Sequence, residues 1–245
     1  MPGRHEVRGL SPRISTIDEE NITIMTKPLP EERHSQPESN NLVRRGRHDY
    51  DQEYRKGAHW DKGRPSANIP LFLAYLKGDE KILDAGCGTG RDVFYLSDQG
   101  FEVVGADASQ TGIDIAKRRA SEAGKTELQF DVANIEKLPY EDESFDAIYS
   151  GYVLGGETLP GQMAELARVL KSGKILYIAM FLETKYQTPS ERDANNPKPF
   201  IFAAAEPYFE MVSEVEDTYD EDDDAGRHTH HRLKLVLRKS PHLHH

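Results

Sequence analysis

Between residues 81 and 181 the apolar positions switch repeatedly between two periods. Residues 81–84 form a short apolar run ending in Asp84, and Val93, Phe94 and Leu96 then open a helical pattern over 91–98 that stops at Gly100. A second strand over 102–106 precedes a helix over 110–122, with Ser109 as its cap and Gly124 as its stop. Strands over 127–130 and 145–150 follow. A helix over 160–170 comes next, with Met163, Leu166, Ala167 and Leu170 on one face and Gly173 as its end. The unbroken apolar run 175–181 reads as a strand covered on both faces. Strands alternating with helices predict an α/β fold, a Rossmann-like doubly wound sheet.

The flanks keep a different pattern. Residues 1–48 are polar and without a sustained period, and are expected to be a disordered N-terminal tail. Residues 49–63 set Tyr50, Tyr54 and Trp60 in polar company, and a helix is expected over 69–76 with Pro70 in its first turn. Prolines 189, 197, 199 and 207 break the rhythm over 182–208, a stretch placed to cover a site mouth. Strands over 210–218 and 232–238 are joined by a polar loop, which makes an antiparallel hairpin. The expected sheet is therefore seven-stranded and mostly parallel, with an antiparallel last strand, in one domain over 49–240 followed by a C-terminal tail at 241–245.

Composition narrows this picture. With 245 residues, 37% hydrophobic and 30% charged, the chain suits one α/β domain and a polar tail. No apolar run approaches the ~18 residues of a spanning helix, and no secretory-type apolar stretch follows Met1. The single cysteine, Cys87, excludes an intrachain disulfide and fits a reducing compartment, so a cytoplasmic location is expected. The net charge is −11; residues 49–245 carry 23 basic and 35 acidic side chains, with nine acids and no base over 210–224. An acidic body repels phosphate backbones, which argues against a nucleic-acid partner. His228, His230, His231, His242, His244 and His245 read as a solvated hairpin and tail, and no metal is expected.

Chemistry concentrates after the first strand, where Gly86, Gly88 and Gly90 alternate with small residues before a helix start. Glycines that turn at positive φ and a helix N-terminus make a nucleotide cradle. A dinucleotide fingerprint needs a third glycine where Arg91 stands, and a phosphate loop needs a closing Gly-Lys-Ser/Thr that is absent. The run Asp84-x-Gly86-x-Gly88-x-Gly90 resembles motif I of the class I S-adenosylmethionine (SAM) methyltransferases. Asp107 after the second strand, the stretch from Asp131 through Leu138-Pro139 to Ser144-Phe145-Asp146, and Arg168-Val-Leu-Lys-Ser-Gly173 extend the likeness over about 80–180. The aromatic segment at 50–65 with Cys87-Gly-Thr-Gly-Arg-Asp92 is similar to the tellurite-resistance and thiopurine methyltransferase branch, in which an N-terminal segment folds over bound SAM.

The residues then acquire expected roles toward SAM. Asp84 can attract the methionine ammonium, or cap the turn. Gly86, Gly88 and Gly90 give the backbone room, and Asp107, with Ala108 beside it, lies where a carboxylate accepts both ribose hydroxyls. Asp131 can accept from the adenine amine while the Val132 N–H reaches the ring. The resemblance places Ser150 beside the methionine part. Trp60 either faces the sulfonium or packs at the sheet edge. Asp146 reads as positioning its strand. The absence of Asn/Asp-Pro-Pro-Tyr and of Pro-Cys points away from nucleic-acid bases toward a small-molecule acceptor. No catalytic base stands out among Tyr152, Glu157, Tyr186 and His228. A SAM-binding regulatory subunit and a methyltransferase with a protein acceptor are the alternative readings.

Overall fold

The computed structural model describes residues 50–58, 60–61, 63–182, 197–223 and 226–241, with the side chains of 221–223 and 226–228 excepted. The expectations for 1–48, for 183–196 (Tyr186 and most of the stretch expected to cover a site mouth), for the His228 side chain and for 242–245 lie outside this set. Among the described residues no helix is long and apolar enough to cross a membrane.

Seven strands form one sheet: β1 (Lys81–Ala85), β2 (Glu102–Asp107), β3 (Gln129–Val132), β4 (Phe145–Gly151), β5 (Leu170–Phe181), β6 (Phe209–Asp223) and β7 (Gly226–Lys239). Their order is β3-β2-β1-β4-β5-β7-β6, with β1 to β5 parallel and β7 antiparallel to both its neighbours. The chain runs outward from β1 to β3 and returns to β4 on the other side of β1. Loops after β1 and β4 therefore diverge and open a crevice at that switch point. The central strands are largely buried on both faces, which is why residues 175–181 of β5 read as an unbroken apolar run. Helices α2 (Ile69–Leu73), α3 (Arg91–Asp98) and α4 (Gln110–Glu122) cover one face. Helices α5 (Leu159–Val169) and α6 (Lys198–Ala205) cover the other. A further helix, α1 (Tyr50–Lys56), buries no residue in either core.

Several boundaries move for physical reasons. α2 stops at Leu73 rather than continuing to residue 76, since the Glu80 carboxylate accepts from the Lys77 and Gly78 N–H groups and turns the chain. β3 starts two residues later than its apolar pattern suggests, so Asp131 lies within it rather than after it. Gly173, at φ +72, does not end α5; Leu170 is already extended and pairs with Phe145, and Gly173 sits in a kink inside β5. The hairpin is longer than expected. Low strand propensity of Asp is offset by cross-strand side-chain pairs, Asp217 with Arg232 and Asp220 with Thr229.

Candidate active site

β1 delivers the chain into the glycine turn at the crevice. Gly86, Gly88 and Gly90 adopt φ of +87, +55 and +84, the left-handed region that a Cβ disfavours. The Gly86 and Cys87 N–H groups donate to the Ala106 carbonyl at 2.7 and 3.0 Å, which fastens the loop to β2. A side chain on Gly86 would run into Val153, and one on Gly88 into the Tyr54 hydroxyl. Both faces of the loop are thus in close contact with other parts of the chain.

Three carboxylates stand at or near the C-terminal ends of three adjacent parallel strands. Asp84, on β1, is 2% exposed, and its Oδ2 has no hydrogen-bond partner. Burial, and then the neighbouring Asp92, push its carboxyl well above the ordinary range. Asp107, at the end of β2, accepts from Gly88 N and Ser109 N, each at 2.8 Å; burial outweighs these bonds and raises it. Asp131, on β3, accepts through Oδ2 from Tyr140 Oη at 2.9 Å and Gln129 Nε2 at 2.6 Å. Ala108 and Val132 are exposed beside them. Ser150 is fully buried and donates to the Ala85 carbonyl at 2.9 Å, so its hydroxyl ties β4 to β1. Asp146 lies at the opposite edge of the sheet, accepting from Lys81 N and Lys171, where it positions the start of β4. Glu157 is exposed.

A strap of chain, α1 with Trp60 and Asp61, lies over the glycine loop. Asp51 accepts from Ser109 Oγ and Thr111 N at the start of α4, and these bonds hold its carboxyl below the usual range. Asp61 accepts from Thr89 Oγ1 and Arg119 Nη2, both at 2.9 Å; although burial opposes it, these donors keep Asp61 low. Arg91 donates to the Trp60 carbonyl at 2.8 Å. Trp60 meets Tyr54 and Tyr50 edge-on, with ring centroids 5.9 and 6.3 Å apart. Burial, and then Asp107, push the Tyr54 phenol up. Sequence reasoning flagged the aromatics of this strap. It missed Asp51, Asp61, Thr89 and Arg119, whose partners lie 28 to 60 residues away. Arg91 was noted as the residue that spoils a dinucleotide motif and as part of the Cys87–Asp92 resemblance, not as an anchor of the strap.

The fold and this loop geometry agree with what the chain is similar to. The methyltransferase domain family is matched over residues 76–222, and the chain belongs to it. Within that family its sheet and motif I loop are those of the class I SAM-dependent superfamily. The 2-heptyl-1-hydroxyquinolin-4(1H)-one methyltransferase of Mycobacteroides abscessus is 30% identical over 141 residues, 56% of this chain and 61% of that protein. The chain spans about six-tenths of the length of the first curated relatives it matches. Among solved structures, one concerned with conversion of a disulfide bond into a thioacetal group during echinomycin biosynthesis superposes with a TM-score of 0.64 at 23% identity, covering 79% of this chain and 92% of that one. A SAM-dependent methyltransferase from Methanosarcina mazei gives 0.57 at 21% identity, covering 70% and 97%. At these identities the superpositions establish the fold.

Proposed function

We propose that the protein transfers a methyl group from SAM to a small-molecule acceptor, with the donor in the crevice between the glycine loop and the ends of β1 to β3. The observation that carries this reading is the buried, unpartnered Asp84 Oδ2 beside a loop whose three glycines all need positive φ. A carboxylate left alone at such depth is costly, and an ammonium brought to it restores the ionised form. The residues present therefore suit SAM. Asp84 would hold the methionine ammonium, the loop N–H groups and Gly86–Gly90 backbone would pass along its chain, Asp107 would take the ribose hydroxyls and Asp131 the adenine amine. Both Asp107 oxygens already hold one N–H each, and their remaining lone pairs serve the diol.

When bound, SAM supplies an electrophilic methyl carbon on a sulfonium. The protein's own contribution is then mainly position and exclusion of water. Trp60, Tyr50 and Tyr54 supply the aromatic cover. In this reading the strap acts as the N-terminal segment does in the tellurite-resistance and thiopurine branch, opening to admit the donor and closing over it. The names of relatives support a small-molecule acceptor: one is a hydroxyquinolinone methyltransferase, another a demethylmenaquinone methyltransferase from Clavibacter sepedonicus.

Calorimetry tests the donor half. SAM and S-adenosylhomocysteine are expected to bind the folded protein with one-to-one stoichiometry. Absence of heat with both, in protein shown to be folded, ends the proposal.

A further inference from the structure

Beyond the β4 loop, away from the glycines, the sheet carries a second set of contacts that donor binding does not use. Val153 and Tyr152 are neighbours on this loop but face different sides of it. Val153 rests against Gly86, whereas the Tyr152 ring stacks on Phe181 at the end of β5, with centroids 4.5 Å apart and planes 24° apart. The series continues across the hairpin. Phe181 meets His230 at 4.7 Å, and His230 stacks on Tyr219, its cross-strand partner, at 6.4 Å and 17°. These rings come from four chain segments and form one aromatic ladder from the C-terminal ends of β4 and β5 onto the β6–β7 hairpin. All are half-buried.

Donor groups line the ladder. Arg232 lies over the Tyr219 ring at 5.1 Å and grips Asp217 with two bonds, at 2.7 and 2.8 Å. Lys234 adds a third bond to the same carboxylate at 2.7 Å. Asp217 therefore lies between two cations, and Arg232 still has an Nη1 group turned toward Tyr152. Tyr152 also has a telling hydrogen-bond pattern. Its hydroxyl oxygen accepts from Asn68 Nδ2 at 3.2 Å and from Arg232 Nη1 at 3.5 Å. Arg232 can only donate, and in this orientation of the Asn68 amide the phenol's own proton is given to no protein atom among the described residues and is available to an acceptor from outside. Tyr152 is also held at φ +63, a conformation that a bulky residue adopts at a cost and that clusters at functional sites.

From these contacts we infer that the ladder is the acceptor subsite, and that the methyl acceptor is a planar aromatic molecule bearing an anionic oxygen. The aromatic faces hold the ring, and the Tyr152 hydroxyl donates to the oxygen with Arg232 behind it. This inference rests on the methyltransferase reading and gives it a substrate class. It also accounts for the lack of a conspicuous base. An acceptor that arrives ionised has no proton to lose: its oxygen lone pair forms the new bond to the methyl carbon, the carbon–sulfur bond breaks, and that pair stays on sulfur. Tyr152 touches the acceptor but takes no proton from it.

The probe is 4-nitrophenol, whose phenolate is coloured, titrated into protein saturated with S-adenosylhomocysteine. The bound probe is expected to ionise at lower pH than the free one, as absorbance would show. Tyr152→Phe is expected to abolish that shift and weaken phenolate binding by roughly tenfold or more, the scale of a hydrogen bond to a charged group. Phe181→Ala is expected to weaken it further. Affinity for S-adenosylhomocysteine should stay at the wild-type value in Tyr152→Phe, which checks that the fold is intact. Hexanoate bound as tightly as 4-nitrophenolate would overturn the aromatic assignment. Equal affinity for uncharged nitrobenzene, or no response to Tyr152→Phe, would overturn the anionic one. Protein that binds S-adenosylhomocysteine but no aromatic anion refutes this inference alone; protein that binds neither ligand refutes the methyltransferase reading and this inference with it.

Discussion

The two sides of the β4 loop are built from opposite materials. On the glycine side, Asp84 and Asp92 are buried with the half-buried Asp107 beside them, and backbone N–H groups do most of the bonding. On the hairpin side, Arg232 and Lys234 surround a single Asp217, and side-chain rings do most of the contacting. The first environment favours a cation, and in the proposed reading the second offers the Tyr152 and Arg232 donors to an anion. In the proposed reaction a sulfonium and an anionic oxygen would meet where the two environments adjoin. Val153 and Tyr152 stand at that junction, one leaning to each side.

The most severe way to break the contrast is to fill the glycine side. Gly86→Val would impose a β-branched residue at φ +87 and drive it into Val153. A loss of about 1–3 kcal/mol of stability is expected from strain of this kind, together with loss of measurable SAM binding. Denaturant unfolding and calorimetry read the two separately, and a variant of wild-type stability that still binds SAM would show the cradle to be permissive.

Asp107→Ala should weaken SAM binding more than tenfold, about 1.4 kcal/mol or more. From the sequence alone, the melting temperature of this variant would be expected to stay near wild type. The structure changes that expectation, since the carboxylate accepts from Gly88 N and Ser109 N. Leaving those donors unpaired is expected to cost about 1–3 kcal/mol as well. Thermal unfolding without ligand gives the second figure, and an unchanged midpoint would mean that water replaces both bonds.

The smallest effect, and the most diagnostic, is expected at Asp84. Its carboxyl titrates higher in the folded than in the unfolded chain, owing to burial and then to Asp92. Its contribution to stability is then fully present below the unfolded value, about 3.9, and is lost as pH rises through the folded value. Asp84→Asn removes this loss. The variant should unfold at a higher temperature than wild type near pH 8 while binding SAM more weakly. A lower melting temperature at that pH would instead mark the carboxylate as a structural anchor.

The same contrast governs what the sequence could disclose. The glycine side is legible because its constraints are local. A turn at positive φ demands glycine at 86, 88 and 90, and carboxylates at or near strand ends follow at the spacing of successive βα units. The helix over 110–122 and its Ser109 cap are local in the same sense, and both were found where expected. The hairpin side is not local. Tyr152, Phe181, Tyr219 and His230 become neighbours only through the β4–β5–β7–β6 order. In one dimension Tyr152 is one of several undistinguished candidates, and Asp217 is one acid in a run of nine. The strap falls between these cases: its aromatics stand out in polar company, but its anchors Asp51, Asp61 and Arg119 are ordinary surface charges until their partners are known.

Trp60 gives the strap an optical label. It is the only tryptophan among the 245 residues, and it sits between two tyrosines with its carbonyl tethered by Arg91. Ultraviolet emission from the unmodified protein therefore originates from one point on the cover, with Tyr50 and Tyr54 close enough to pass excitation to it. Opening of the strap would redden and quench that signal; closing over a bound sulfonium would change it in another direction. Stopped-flow fluorescence would follow the movement of the cover in real time with no dye attached.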